Sequence, residues 1–145
     1  MADSTFVLHR LTSPLRWPFI IAAVVAAVAH IPVIAPHLNE APYMGGLFIA
    51  LTVGCLTLAA GATVWDSPAV YGAAVVTCGL AVLGYVATRV VAFPMLADDV
   101  GNWFEPLGVV SIVTETAVVV LSLLALSGAQ RPALVPAATG HAATR

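Results

Sequence analysis

The chain contains no lysine; all five of its basic residues are arginines, and its formal net charge is -2. A surface that holds nucleic acid needs clustered basic side chains to neutralise phosphates, so that class of partner is excluded. Charge of either sign is scarce, with only 8% of residues Asp, Glu, Lys or Arg. Catalytic signatures are missing as well: there is no G-x-S-x-G elbow, no Walker loop, no G-x-G-x-x-G after a strand and no Cys-x-x-Cys. Nucleophilic, phosphoryl-transfer and redox-thiol chemistries therefore have no recognisable handle. Only two cysteines occur, Cys55 and Cys78, each inside an apolar run, where they read as small packing residues rather than a disulfide.

What the chain has instead is apolar length. Hydrophobic residues make up 61% of it and the mean hydropathy is +1.02, the composition of an integral membrane protein. Four runs, 17–35, 45–65, 69–93 and 107–126, are long enough to span a hydrocarbon core, which takes about 20 apolar residues as helix. In lipid every backbone amide must be satisfied within its own segment, so each run is expected to be a helix. The connections carry Pro36 to Pro42, Asp66-Ser67-Pro68, and Pro94 to Pro106. Short connections make sequence neighbours antiparallel neighbours, and the expected fold is an all-α bundle of four membrane helices.

Arginine placement sets the orientation. Arg10 and Arg16 precede the first helix and Arg131 and Arg145 follow the last, whereas the first and third loops hold no arginine and carry Glu40, Asp98, Asp99 and Glu105. Both termini are thus expected in the cytoplasm, with residues 1–16 as a tail before the helical domain 17–126 and 127–145 as an Ala- and Pro-rich tail after it. A cleaved secretory signal ending at "AVA" before His30 is the alternative for the first run, and it would leave His30 as a copper-chelating N-terminus. The apolar run continues past His30 through Ile31 to Ala35, which favours a spanning helix. "PHLNEAP" can also be laid on "PMLADDV", a faint echo that makes the two outer loops similar.

Three ionisable residues lie inside the spans, where each asks for a partner or a role. His30 is expected about 8 Å below the outer surface, Arg89 roughly 6 Å and Glu115 about 12 Å, at 1.5 Å per residue. His37, Glu40, Asp98, Asp99 and Glu105 lie just above the same layer, so the polar residues converge on one extracytoplasmic pocket. Seven residues separate His30 from His37, two helical turns, while Ser111 and Glu115, like Tyr85 and Arg89, are four apart and share a face.

Three expectations compete for this pocket. Two imidazoles and two carboxylates, His30, His37, Glu40 and Glu115, suit Zn²⁺ or Cu²⁺. An organic molecule or lipid headgroup would use Arg89 as anion partner, with Asp98, Asp99, Glu105 and Ser111 as further polar contacts and Tyr43, Tyr85 and Trp103 as walls. In a purely structural role, Arg89 pairs with Glu115 or a loop carboxylate and His30 bonds to a neighbour, fixing helix register. Haem suits the pattern less, because both histidines lie on or near one helix. Small residues Ala50, Gly54 and Gly61 on the second helix permit close helix contact, whether within the chain, in a homo-oligomer or in a larger membrane complex to which the chain is an accessory subunit.

The two hairpins, "HIPVIAPHLNEAPYMGGLF" and "TRVVAFPMLADDVGNWFEPLGVVSIVTET", resemble those of small four-helix membrane proteins of actinobacteria and related bacteria, generally called hypothetical proteins. His30, His37-Leu38-Asn39-Glu40, Arg89, Pro94 and Glu115 stand at the positions that carry the likeness. Val90-Val91-Ala92-Phe93 departs from it, since a Thr and a Gly are usual there. The resemblance implies a bacterial inner-membrane protein and supplies no activity.

Overall fold

The computed structural model describes residues 10–129 of the chain. Its framework is four helices, α1 (Arg16–Glu40), α2 (Pro42–Val64), α3 (Pro68–Val90) and α4 (Pro106–Ala129), with a short 3₁₀ turn at Ala97–Asp99. Each of the four is long and apolar enough to cross a membrane. The last three all begin on a proline. That position needs no amide donor, and the ring presets the helical φ. Of the tails expected at 1–16 and 127–145, residues 1–9 and 130–145, with Arg131 and Arg145, lie outside the described residues.

The first hairpin is tighter than its prolines suggested. α1 runs through Pro32 and Pro36 to Glu40, where Ala35 was the expected end. Two prolines cost helix hydrogen bonds, yet the backbone in an apolar span has no better alternative than to stay helical. The turn into α2 is the single residue Ala41, fully buried, whose amide donates to His37 O at 2.8 Å. Gly45 makes this possible: a Cβ there would sit 2.7 Å from the Leu38 backbone nitrogen, so only glycine lets the two helices turn back so closely.

The helices form a ring in which α1 packs along α2 and α4, α3 along α4, and α2 meets α3 only thinly. The core occupies one half of the bundle, the end nearest the N-terminal segment. Phe19, Ala23, Ala26 and Ala27 of α1 meet Cys55, Leu58, Ala59 and Ala62 of α2, Tyr71, Ala74 and Cys78 of α3, and Val118 and Ala125 of α4. Small side chains let helices in an apolar solvent gain contact through backbone proximity. On that half α2 and α3 touch, with Gly54 against Thr77 and Gly61 against Val70.

Residues 10–13, expected as part of a mobile tail, strap this end. The Leu11 amide donates to Asp66 O at 2.8 Å and the Ser13 amide to Asp66 Oδ2 at 2.6 Å. Arg10 donates to Val64 O at 2.8 Å, stacks 5.5 Å over Trp65, and Arg16 donates to Thr63 O. The α2–α3 turn has carbonyls with no helical partner, and the arginines satisfy them.

Candidate functional site

The other half of the bundle is hollow. Between the four helices, at the end carrying the α1–α2 and α3–α4 connections, lies a cavity of about 620 Å³, within the size range of small-molecule sites. Its walls are mostly apolar, with Leu51, Phe48 and Ala81 among them, and a few polar groups converge on it: His30, Arg89, Ser111 and Glu115. Leu47, Val76 and Leu80 line it and are also 58%, 61% and 64% exposed. These residues belong to α2 and α3, so the cavity opens sideways, through the gap where those two helices splay apart above the Gly54–Thr77 contact.

His30 and Glu115 meet because their helices bring them to one level. His30 is ten residues before the end of α1 and Glu115 nine after the start of α4, roughly 15 and 13 Å deep at 1.5 Å per residue. The extended α1 thus puts His30 deeper than its expected end did. Both side chains are buried, and Nε2 stands 3.4 Å from Oε1. His30 Nδ1 lies 2.6 Å from Ala26 O; a carbonyl only accepts, so Nδ1 carries its hydrogen. Nε2 then faces the carboxyl, and two bare lone pairs at that distance would repel. The pair is neutral when it holds one proton between the two atoms. At this distance and angle it makes no well-formed hydrogen bond, and Oε1 is a buried oxygen without one.

Arg89 closes the upper wall. Its Nη1 lies 2.9 Å from Asp99 Oδ1 and donates to Asp99 O at 3.2 Å, while its guanidinium stacks 4.6 Å over Tyr85. Its Nε is buried with no hydrogen-bond partner. Of the two partners expected for Arg89, the loop carboxylate is the one in place. Residues 91–105 are tied down at several points: Tyr43 donates to Pro94 O at 2.6 Å, Tyr85 to Trp103 O at 2.8 Å, and the Gly101 amide to Arg89 O at 2.9 Å. This segment lies over the end of the cavity, and Asp99 and Glu105 form part of its wall. Glu105 is also committed to the backbone, its carboxylate accepting from the Leu107 amide at 3.2 Å and the Gly108 amide at 2.5 Å, as the cap of α4.

The four residues expected as metal ligands do not come together. His30 and Glu115 are paired, but the ring of Phe48 stands beside both imidazoles, with centroids 5.4 Å from His30 and 4.9 Å from His37. His37 Nδ1 is bonded to Val33 O at 2.8 Å, and Glu40, the last residue of α1, is exposed. Among the described residues no group of three or more His, Cys, Asp and Glu side chains is arranged to hold a metal ion. Two helical turns put His30 and His37 on one face, and the neighbouring helix filled the space between them. Asp98, Tyr43 and Trp103 are exposed and outside the cavity wall, while Tyr85, Asp99, Glu105 and Ser111 line it.

The two cysteines, expected near mid-depth on neighbouring helices as packing residues, are in direct contact. Cys55 and Cys78 are both fully buried, with their sulfurs 4.0 Å apart. Spacing along the chain, 23 residues, gives no hint of it. Antiparallel register does: Cys55 is nine residues before the end of α2 and Cys78 ten after the start of α3, the same level counted from their shared turn.

Comparison with protein-family models, with curated proteins and with solved structures found no match.

Proposed function

We propose that the protein binds a lipid-soluble organic molecule with a polar head, taken from the bilayer through the gap between α2 and α3. The observation that carries this reading is an apolar cavity of about 620 Å³, open sideways between lipid-facing side chains, whose polar wall keeps two buried atoms unsatisfied, Glu115 Oε1 and Arg89 Nε. Buried polar groups without partners are costly and call for a ligand that completes them. A tail would lie along Leu51, Val76 and Leu80, and an anionic or carbonyl head would accept from Arg89 while a hydroxyl or carbonyl met the His30–Glu115 pair.

The arginine distribution supports an orientation with both termini in the cytoplasm, and the resemblance of the two hairpins implies a bacterial inner membrane. The cavity then lies on the extracytoplasmic side, and the tied 91–105 segment separates it from water. An accessory-subunit role would call on the small residues of α2 as a docking face, but Gly54 and Gly61 are turned to α3 within the chain.

The test is solvent extraction of the protein purified in mild detergent, followed by mass spectrometry of what it retained. Wild type is compared with Ala81→Phe and Gly84→Phe, which place a ring on the cavity wall; a Cβ at Gly84 meets nothing within 4 Å. One amphiphile retained near one per chain, and lost from both variants, supports the reading. Equal retention in all three proteins refutes it.

A further inference from the structure

The sulfurs of Cys55 and Cys78 touch where α2 meets α3 beside the Gly54–Thr77 contact, beneath the mouth of the cavity. Gly54 and Thr77, their immediate neighbours in sequence, make the backbone approach, and Thr77 and Leu51 belong to the cavity wall. The chain contains no other cysteine, so the fold has brought its whole thiol complement into contact. Both residues have no exposed surface and neither belongs to the cavity wall, so a molecule in the cavity meets them only when the floor at Leu51 and Thr77 parts. They lie about 19 Å from the upper helix ends, near mid-bilayer and about one turn below His30 and Glu115. Neither charged oxidants nor glutathione-like thiols reach such a depth. What can arrive is a molecule soluble in hydrocarbon, and the cavity brings such a molecule to within about a helical turn.

We propose that Cys55 and Cys78 are a redox-active dithiol, oxidised by a membrane-soluble quinone that reaches it through the cavity. Both S–H bonds break and one S–S bond forms. The two electrons and two protons pass to the quinone, which leaves as the quinol. The product ties α2 to α3 at the base of the gap between them, so the redox state of the pair sets how far the mouth can open. The route, though not the dithiol itself, rests on the cavity reading above.

The experiment uses the full chain in lipid nanodiscs, reduced and then exposed to a benzoquinone with a ten-carbon tail. Samples are unfolded in SDS with N-ethylmaleimide and weighed intact. The proposal expects a species two hydrogens lighter that takes up no maleimide, with one quinol formed per chain, and neither product from Cys55→Ser or Cys78→Ser. Ferricyanide, which stays in water, is expected to be at least tenfold slower. Two maleimides on every chain after quinone treatment would overturn the proposal. Ala81→Phe separates the two claims: slower oxidation supports the cavity as the route, whereas an unchanged rate keeps the dithiol and removes the cavity from its path.

Discussion

Replacing Glu115 tests how the buried pair is held. With one proton between Nε2 and Oε1, resting on the carboxyl, neither side chain is charged; on that reading removal of Glu115 leaves no bare charge, and the cost of about 3–5 kcal/mol that follows from unpairing a buried ion does not apply. The 3.4 Å approach without hydrogen-bond geometry places it instead among weak interhelical contacts. Such contacts average about 0.6 kcal/mol in membrane proteins and reach about 1.7. Glu115→Gln keeps a side-chain donor for His30 Nε2 and is expected to stay within about 0.5 kcal/mol of wild type. Glu115→Leu leaves Nε2 facing an apolar wall and is expected to cost about 1–2 kcal/mol. A double-mutant cycle with His30→Phe should give a coupling of about 0.5–1 kcal/mol. The assay is SDS-induced unfolding in mixed micelles followed by circular dichroism. A coupling above about 3 kcal/mol would mean a true ion pair, and no coupling, with Gln as costly as Leu, would mean that the two side chains ignore each other. Either result refutes the neutral-pair reasoning.

Further substitutions probe the frame around the cavity. Gly45→Ala, whose Cβ would meet the Leu38 backbone at 2.7 Å, should destabilise by about 1–3 kcal/mol in the same assay, while Gly46→Ala, with nothing within 4 Å, should be neutral or gain up to about 1. Asp99→Ala removes a partly exposed partner of Arg89; stability should change by no more than about 1 kcal/mol, but amide exchange at Gly101, bonded to Arg89 O, should speed up several-fold. Asp66→Ala should accelerate exchange at the Ser13 amide and leave that of Leu11, which is held by the Asp66 backbone carbonyl, much less changed.

The helices were legible because lipid leaves an apolar run of about 20 residues little else to become. Their level was legible too: counting residues from the chain turns puts His30, Arg89 and Glu115 in one half of the bundle. Which of them touch was not, because that depends on rotation about each helix axis, and a nearly uniform Ala, Val and Leu surface gives little periodic signal to fix it. Hence Arg89 found Asp99 rather than Glu115, and Phe48 came to lie beside both histidines. The single-residue turn at Ala41 was hidden by prolines that usually mark a helix end. The cysteine contact was hidden by distance along the chain, although register from the α2–α3 turn predicts it.

The binding claim is tested most directly by photo-crosslinking in nanodiscs with a long-chain fatty acid carrying a diazirine in its tail, the adducts being mapped by peptide sequencing. The account predicts adducts concentrated on Leu47, Leu51, Val76 and Leu80, and reduced at least fivefold in Ala81→Phe. Adducts spread evenly over outward residues such as Val120, Leu123 and Leu124, unchanged by that substitution, would contradict it.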